Sequence, residues 1–549
     1  NSTMSNEVKY MQQRITINLN TDSKITGNPP ILEYCRSHGV TGIEAPCGGK
    51  GTCGKCKVTV TKPYYKEVLA CQTKICDGME IIVGGGTITG VGTDMNEAKV
   101  SASDDMVVLV DRKADVQENP VSVYGNHSSN AGTLAACDIG TTTVVCYLID
   151  KETGQIIAVR SGANPQRSFG ADVLSRIDAA ARADDNDRAN GGLQMMQSQI
   201  VSLLNGWISD MLMECGRTKV CLFSVAGNTV MCHLLMGISP EKLGRAPFMP
   251  DEYFGRAFNP LDIGLENCQT MIIFPAVSGF VGGDITAGMM ETVNCKALTL
   301  YLDIGTNGEM ALGKGDRYVC CATAAGPAFE GAQIEMGMPA SKGAVDKVWL
   351  EGRRIKYSVI GNDRPVGLCG SGLIDALAIL LKAGIIDENG TILSGQELPI
   401  LFRSYVFELE AEDAAQSTES SLAVHIAPGV YITQEDIRKL QLAKGAIAAG
   451  IDILFKEYGC KPCDLDILTF AGGFGNYIDK ASAAAIGLFP PELLDRAKEV
   501  GNAAGNGAVS AALSQEAWES ALDISGKMRY IELASYSRFD EIYVEHMNF

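Results

Sequence analysis

Positive charge is scarce in this chain: 46 lysines and arginines stand against 65 aspartates and glutamates, a net charge of -19. Nucleic acid and anionic membrane surfaces both call for a basic footprint, so proteins and small molecules are the expected partners instead. A long uninterrupted hydrophobic run is also missing. The most apolar stretch, residues 271–290, carries Asp284 and four glycines, which reads as strand, turn and helix and not as a membrane span. The polar start, residues 1–7, shows no secretion signal. The 18 cysteines lack the pattern of a small secreted disulfide scaffold, and most lie in apolar runs such as Val319-Cys320-Cys321, so a reducing cytoplasm is the expected compartment. At 549 residues the chain should divide into roughly three or four units.

Four of the cysteines are different. Cys47, Cys53 and Cys56 share one short loop with Gly48, Gly49, Gly51 and Gly54, and Cys71 follows from a second segment. The glycines let the backbone curl and aim amide N–H groups at sulfur, which suits a small iron–sulfur cluster. The order C-x5-C-x2-C-x14-C looks like that of 2Fe-2S ferredoxins of plant and vertebrate type, with a shortened last interval. Zinc is the competing reading, but zinc ribbons use two C-x2-C pairs, and here there is one pair with two outliers. The neighbours Cys35 and Cys76 read as buried free thiols.

The organisation is that of a multidomain α/β protein. Residues 1–93 alternate like a small sheet with one helix near Ile31, which fits a β-grasp ferredoxin domain. Residues 94–132 read as a polar linker with a strand of its own at 106–110. From 133 to 549 the chain is rich in small apolar residues in alternating strand and helix patterns. This part contains a repeat: the strand ending Asp138-Ile-Gly140-Thr is matched by the strand ending Asp303-Ile-Gly305-Thr, and each is followed by further strands. Two related lobes are expected, about 133–296 and 297–465, with the C-terminal segment returning to the first lobe or to the lobe interface.

Each repeat turn combines a glycine, which permits close phosphate approach, with hydroxyls and backbone N–H groups that form an anion nest. Gly140, Thr141, Thr142 and Thr143 on one side, and Gly305, Thr306, Asn307 and Gly308 on the other, would clamp the triphosphate of ATP. Asp138 and Asp303 beside it are tolerable only with Mg2+ or the attacking water between. Glu309 is a further candidate for orienting water. A third glycine turn, Gly472, Gly473, Phe474 and Gly475, follows a predicted strand and would let the nucleoside lie against bare backbone.

This set resembles the sugar kinase, heat-shock chaperone and actin superfamily, with its phosphate-1, phosphate-2 and adenosine motifs and its two-lobed ATPase domain. Within it the wording Val225-Ala-Gly-Asn228, Ala246-Pro-Phe248, Ala324-Ala-Gly326-Pro, Cys369-Gly-Ser371-Gly and Ala471-Gly-Gly-Phe-Gly475, together with the cysteine loop, is similar to one family: reductive activators of corrinoid proteins. The resemblance adds Gly326 and Ser371 to the nucleotide site. It implies ATP-driven transfer of an electron from a 2Fe-2S cluster to Co(II) corrinoid. It also implies a corrinoid protein of a methyltransferase system as partner, an upstream low-potential electron donor, and a homodimer. The larger activators are expected to hold a middle domain between ferredoxin and ATPase parts, for which the interval of about forty residues here is too short. Two other classes use the same residues. A small-molecule kinase would leave the cysteine loop idle, and a redox-gated chaperone would use the cluster only as a switch.

Several residues have plainer readings. Asn228 reads equally as a helix cap or a substrate contact, His233 as a core histidine, Ser371 as the opening of a helix, and Thr433-Gln-Glu-Asp436 as a capping box. Cys460 and Cys463, a lone C-x2-C, read as buried thiols.

Overall fold

A computed structural model describes residues 13–17, 29–38, 40, 43, 45, 48–51, 56–62, 66–83, 132–181, 191–293, 296–305, 307–409, 421–472 and 477–549. The strand expected at 106–110 lies outside the described residues, as do Cys47, Cys53, Thr306, Gly473, Phe474 and Gly475.

The N-terminal module is one four-stranded sheet. Strands β1 (Gln13–Thr16), β2 (Lys57–Lys62), β3 (Lys66–Leu69) and β4 (Glu80–Val83) run in the order β1-β4-β2-β3, and helix α1 (Ile31–Ser37) accompanies them. Val58, Val60, Ile81 and Val83 alternate inward and meet Ile31, Leu32 and Cys35 of α1 in a small core, the period-two pattern of a sheet with one covered face.

The first lobe contains β5 (Thr133–Ile139), β6 (Thr143–Asp150), β7 (Ile156–Ala163), β8 (Val220–Gly227), β9 (Arg256–Phe258) and β10 (Cys268–Ile273), in the order β7-β6-β5-β8-β10-β9. Every residue of β8 is buried, the continuous apolar run of a strand covered on both faces. Around this sheet lie α2 (Val173–Ala181), α3 (Gly192–Glu214) and α4 (Thr229–Met236).

After α5 (Gly283–Thr292) the pattern recurs in β11 (Thr299–Ile304), β12 (Gly308–Lys314) and β13 (Arg317–Thr323). Two small sheets follow, built from β14 (Ala344–Glu351), β15 (Arg354–Val359) and β16 (Gly367–Leu368), and from β17 (Val406–Leu409), β18 (Ser421–Ala427) and β19 (Val430–Thr433). Helices α6 (Gly370–Lys382) and α7 (Gln434–Tyr458) belong to the same lobe. Thr433 and Asp436 form the expected capping box at the start of α7. The second sheet does not end near residue 465. It takes β20 (Ile467–Ala471), β21 (Ala497–Glu499) and β22 (Met528–Tyr530), in the order β21-β20-β11-β12-β13-β22.

The two lobes are duplicates at the level of register. In the first, β5 pairs antiparallel with β6 and parallel with β8, so Asp138 faces Val145 on one side and Ala226 on the other. In the second, β11 pairs antiparallel with β12 and parallel with β20, so Asp303 faces Glu309 and Ala471. Each parallel partner then runs into a glycine, Gly227 or Gly472. Glu309 therefore occupies a position filled by Val145 in the first lobe, and the acid is specific to the second.

Between the lobes α5 crosses α8 (Ala503–Leu513), which is followed by α9 (Gln515–Lys527). A Cβ on Gly507 would come 2.3 Å from the Ala287 carbonyl oxygen, and one on Gly288 would come 2.0 Å from the Tyr301 hydroxyl. Gly507 lets α8 meet the α5 backbone, and Gly288 lets the Tyr301 side chain of β11 lie against α5. The C-terminal part thus straddles both lobes: its strands join the second sheet, while Ala504 and Ala508 of α8 pack with Leu134 and Ala136 of β5.

Candidate functional site: cysteine loop and interlobe acids

The cysteine loop is built by three glycines in left-handed backbone, Gly48 (φ +64°), Gly49 (φ +90°) and Gly51 (φ +81°). A side chain is strained in that region, which is why glycines stand there. At the end of the loop the Sγ atoms of Cys56 and Cys71 are 3.1 Å apart. The Ala70 N–H donates to the Cys56 carbonyl at 2.7 Å, which pins the two segments together. Two thiols this close beside a glycine-built turn fit an iron–sulfur cluster, which Cys56 and Cys71 would help to hold. Cys35 is a buried free thiol as expected, but Cys76 is only half-buried. Of the other cysteine pair, Cys463 is exposed and Cys460 half-buried. The reading of both as buried thiols is corrected, because the pair sits on the surface turn that follows α7.

The second constellation lies between the lobes. The first phosphate turn closes with the Gly140 N–H donating to the Thr143 carbonyl at 2.9 Å, and the second with the Gly305 N–H donating to the Asn307 carbonyl at 2.9 Å. Gly472 lies directly against Asp303: a Cβ there would meet Asp303 Oδ1 at 2.4 Å. Gly472, the first residue of the third glycine turn, is thus brought to the second phosphate turn. Of the two roles considered for Asn228, the structure shows the helix cap. It caps α4 by accepting from the Met231 N–H at 2.9 Å, and its Nδ2 donates to Thr141 Oγ1 at 3.0 Å.

Burial and mutual repulsion of acids dominate the electrostatics. Desolvation, then the charges of Asp284 and Asp138, push Asp303 up to about 8. Desolvation and Asp284 push Asp138 up to about 7, against a hydrogen bond from Asn502. Burial takes Asp284 to about 6, and Glu309 is raised well above the carboxylate range by burial, Asp284 and Asp303. Four carboxylates that oppose one another's ionisation form an arrangement completed by a cation. Among the described residues no three of them converge as ligands on one point, so a magnesium ion here would keep most of its water, as that ion prefers.

Asp284 and Asn502 escaped the sequence reading. Asp284 was visible only as a charge interrupting an apolar stretch, although Gly282-Gly283-Asp284 opening a helix was the available signal. Asn502 caps α8 by accepting from the Gly505 N–H at 2.8 Å, and nothing near it in sequence points to Asp138. Other expected nucleotide contacts stand differently. The Ser371 hydroxyl donates to the Asp346 carbonyl at 2.8 Å, the space beside Gly308 is filled by Thr323 and Ile447, and Gly326 has open space at φ +74°. His233 is buried, with Nδ1 at 2.7 Å from the Thr229 carbonyl.

These shifts predict a pH dependence. Asp138 and Asp303 ionise near pH 4 when unfolded but hold their protons to about 7 and 8 when folded. The folded state therefore binds more protons across that window, and stability falls as pH rises through it. Without divalent cation, the thermal midpoint is expected to drop by several degrees between about pH 5 and pH 8, and Mg2+ with ADP to recover most of the loss. Asp284→Asn should shrink the drop. A flat midpoint in calorimetry would show that the acids are not buried together.

A ferredoxin module joined to a duplicated, two-lobed nucleotide-binding fold of actin type defines the class of the protein, and comparison with known proteins narrows it. Residues 20–76 match the family described as 2Fe-2S iron-sulfur cluster binding domain, 134–294 the RACo middle region, and 297–549 the C-terminal domain of RACo, the ASKHA domain. The corrinoid activation enzyme RamQ of Eubacterium limosum is 32% identical over 94% of this chain and 96% of its own. The [Co(II) methylated amine-specific corrinoid protein] reductase of Methanosarcina barkeri is 26% identical over 65% of each chain. A solved structure described as a reductive activator for corrinoid, iron-sulfur protein is 27% identical, with a TM-score of 0.65 over 96% of this chain and 97% of that one. The chain belongs to the reductive activators of corrinoid proteins, a family of enzymes. The middle-region match falls on the first lobe itself, which corrects the expectation that the family's middle domain is missing here.

Proposed function

We propose that this protein hydrolyses ATP to return a corrinoid protein of a methyltransferase system from inactive Co(II) to Co(I). The observation that carries the reading is the presence, on one chain, of a cysteine loop fit for a 2Fe-2S cluster and an acid-lined interlobe site fit for Mg·ATP. Cys47, Cys53, Cys56 and Cys71 would hold the cluster, which when bound supplies electrons one at a time. Gly140, Thr141, Thr142 and Thr143 would face one side of the triphosphate, and Gly305, Thr306, Asn307 and Gly308 the other. Asp138 and Asp303 would hold hydrated magnesium, Glu309 would orient the attacking water, and Asp284 would add charge to the same ion. Gly472, Gly473, Phe474 and Gly475 would seat the adenosine.

Energy is the reason to couple the two sites. For one electron, roughly 60 mV corresponds to about 1.4 kcal/mol, so a lift of a few tenths of a volt lies within one ATP cycle. Closing the lobes about α5 and α8 would favour the complex with the Co(II) protein, and hydrolysis would release the partner after reduction. The test is the visible spectrum of a Co(II) corrinoid protein mixed with this protein, a chemical reductant and ATP. Co(I) bands should grow only with hydrolysable nucleotide. Equal growth without ATP, or a phosphorylated metabolite as the product, would overturn the reading.

A further inference from the structure

The ferredoxin module rests on the first lobe through the segment that also holds the first phosphate turn. Arg36 of α1 donates from Nε to the Ser168 carbonyl at 3.0 Å, and its guanidinium lies over the Phe169 ring, 4.8 Å from the centroid. Phe169 is itself fixed in the core of the first lobe. From within the cysteine loop, Lys50 pairs with Asp178 of α2 at 3.1 Å. Gly48 lies so close that a Cβ would stand 3.2 Å from the Phe169 carbonyl oxygen. The exposed ion pair contributes little alone, so Arg36, with a charge-assisted hydrogen bond and a ring beneath it, is the main anchor. In this arrangement lobe 1 covers one side of the cysteine loop.

Both ends of the same segment grip the turn at 140–142. Asn164 donates its backbone N–H to the Thr142 carbonyl at 2.8 Å and its Nδ2 to the Gly140 carbonyl at 2.8 Å. Arg176, wholly buried, donates from Nε to the Gly170 carbonyl at 3.0 Å and from Nη2 to the Thr141 carbonyl, with Nη1 on the Met231 sulfur at 3.1 Å. Its hydrogen-bond partners are two carbonyls and a thioether, and with Asp172 favouring and Arg167 opposing its charge it stands as a desolvated cation behind the turn. A polyanion arriving there attracts that cation strongly in low dielectric. The attraction acts against the hold of Arg176 on Gly170, the residue next to Phe169.

We propose that residues 164–176 form a nucleotide-responsive seat for the ferredoxin module: with the phosphate turn empty they hold Arg36 and Lys50, and a triphosphate at the turn loosens them through Arg176, freeing the covered side of the cysteine loop for a protein partner. The proposal rests on the reading of residues 140–143 as a phosphate site, and the experiment separates the two. On the intact protein with its cluster reduced, calorimetry reports binding of a non-hydrolysable ATP analogue. The rate at which cytochrome c takes one electron from the cluster reports seating. The analogue should raise that rate about fivefold in the wild type. Arg36→Ala should be fast without nucleotide and respond little to it, whereas Asp178→Lys, which sets a second cation against Lys50, should be only modestly faster than the wild type, and Lys50→Glu combined with Asp178→Lys should return it to the wild-type rate. Arg176→Lys, too short to span both carbonyls, should bind the analogue, be faster than the wild type without it and show little further response. Binding without any change in rate, or an Arg36→Ala variant as slow as the wild type, overturns the seat. An analogue that does not bind overturns the phosphate-turn reading and the seat with it.

Discussion

Asp303→Ala is expected to lower ATP hydrolysis at least about tenfold, with Asp138→Ala close behind, because each removes a carboxylate proposed to hold magnesium and order the water around it. Asp303 should be the more sensitive of the two. It faces Glu309 across the β11–β12 ladder and Ala471 across β20, and Gly472 packs against its carboxylate, so three parts of the second lobe meet at this side chain. Asp138 has Val145 where Asp303 has Glu309. Asp303→Asn, which keeps the shape and removes the charge, should be nearly as slow as the alanine variant. Double variants with Asp284→Asn should fall short of additivity, since the charge of Asp284 acts on both Asp303 and Asp138. The visible spectrum of the cluster should not change. Phosphate release at the wild-type rate in both alanine variants would mean that the two turns do not handle the triphosphate.

The repeat was legible because duplication leaves the same four residues, Asp-Ile-Gly-Thr, at the end of two apolar strands, and because strands such as β8 are uniformly apolar only when both faces are covered. What the repeat alone did not disclose was the asymmetry within it. The Asp303–Glu309 pairing depends on register, and register is set by a turn one residue shorter than its counterpart in the first lobe. The capping box of α7 was readable for a local reason: Thr433 and Asp436 satisfy each other's backbone donors within one turn.

Asp284, Asn502 and Arg176 were not readable in that way. Each acts through a neighbour far away in sequence: Asn502 through Asp138, Arg176 through Thr141, and Asp284 through acids on both lobes. A charged side chain inside an apolar stretch signals cost, and only tertiary placement shows what offsets it. Ser371 is the converse. Its Gly-Ser-Gly context has the composition of a phosphate loop, yet a Cβ on Gly372 would come 2.1 Å from the Val345 carbonyl oxygen, so the glycine is there for close packing of α6 on β14.

Cys56→Ser should abolish Co(I) formation while leaving ATP hydrolysis within about twofold of the wild type, and that separation is the strongest expectation of the proposed mechanism. Cys56 and Cys71 are the two described thiols that meet in the cysteine loop, and a serine at either position replaces a soft thiolate by a poor ligand for iron. The iron-dependent visible bands should disappear. The nucleotide site should not notice, because Asp138, Asp284, Asp303 and Glu309 belong to the lobes and their junction, and the neighbours named for their shifts lie in the lobes as well. Among the described residues no other group of three ligating side chains is available to hold a substitute metal centre. An electron reaching the corrinoid at the full rate in Cys56→Ser would therefore have bypassed the module altogether, and the coupling of its cysteine loop to the ATP site would have no part in the reaction.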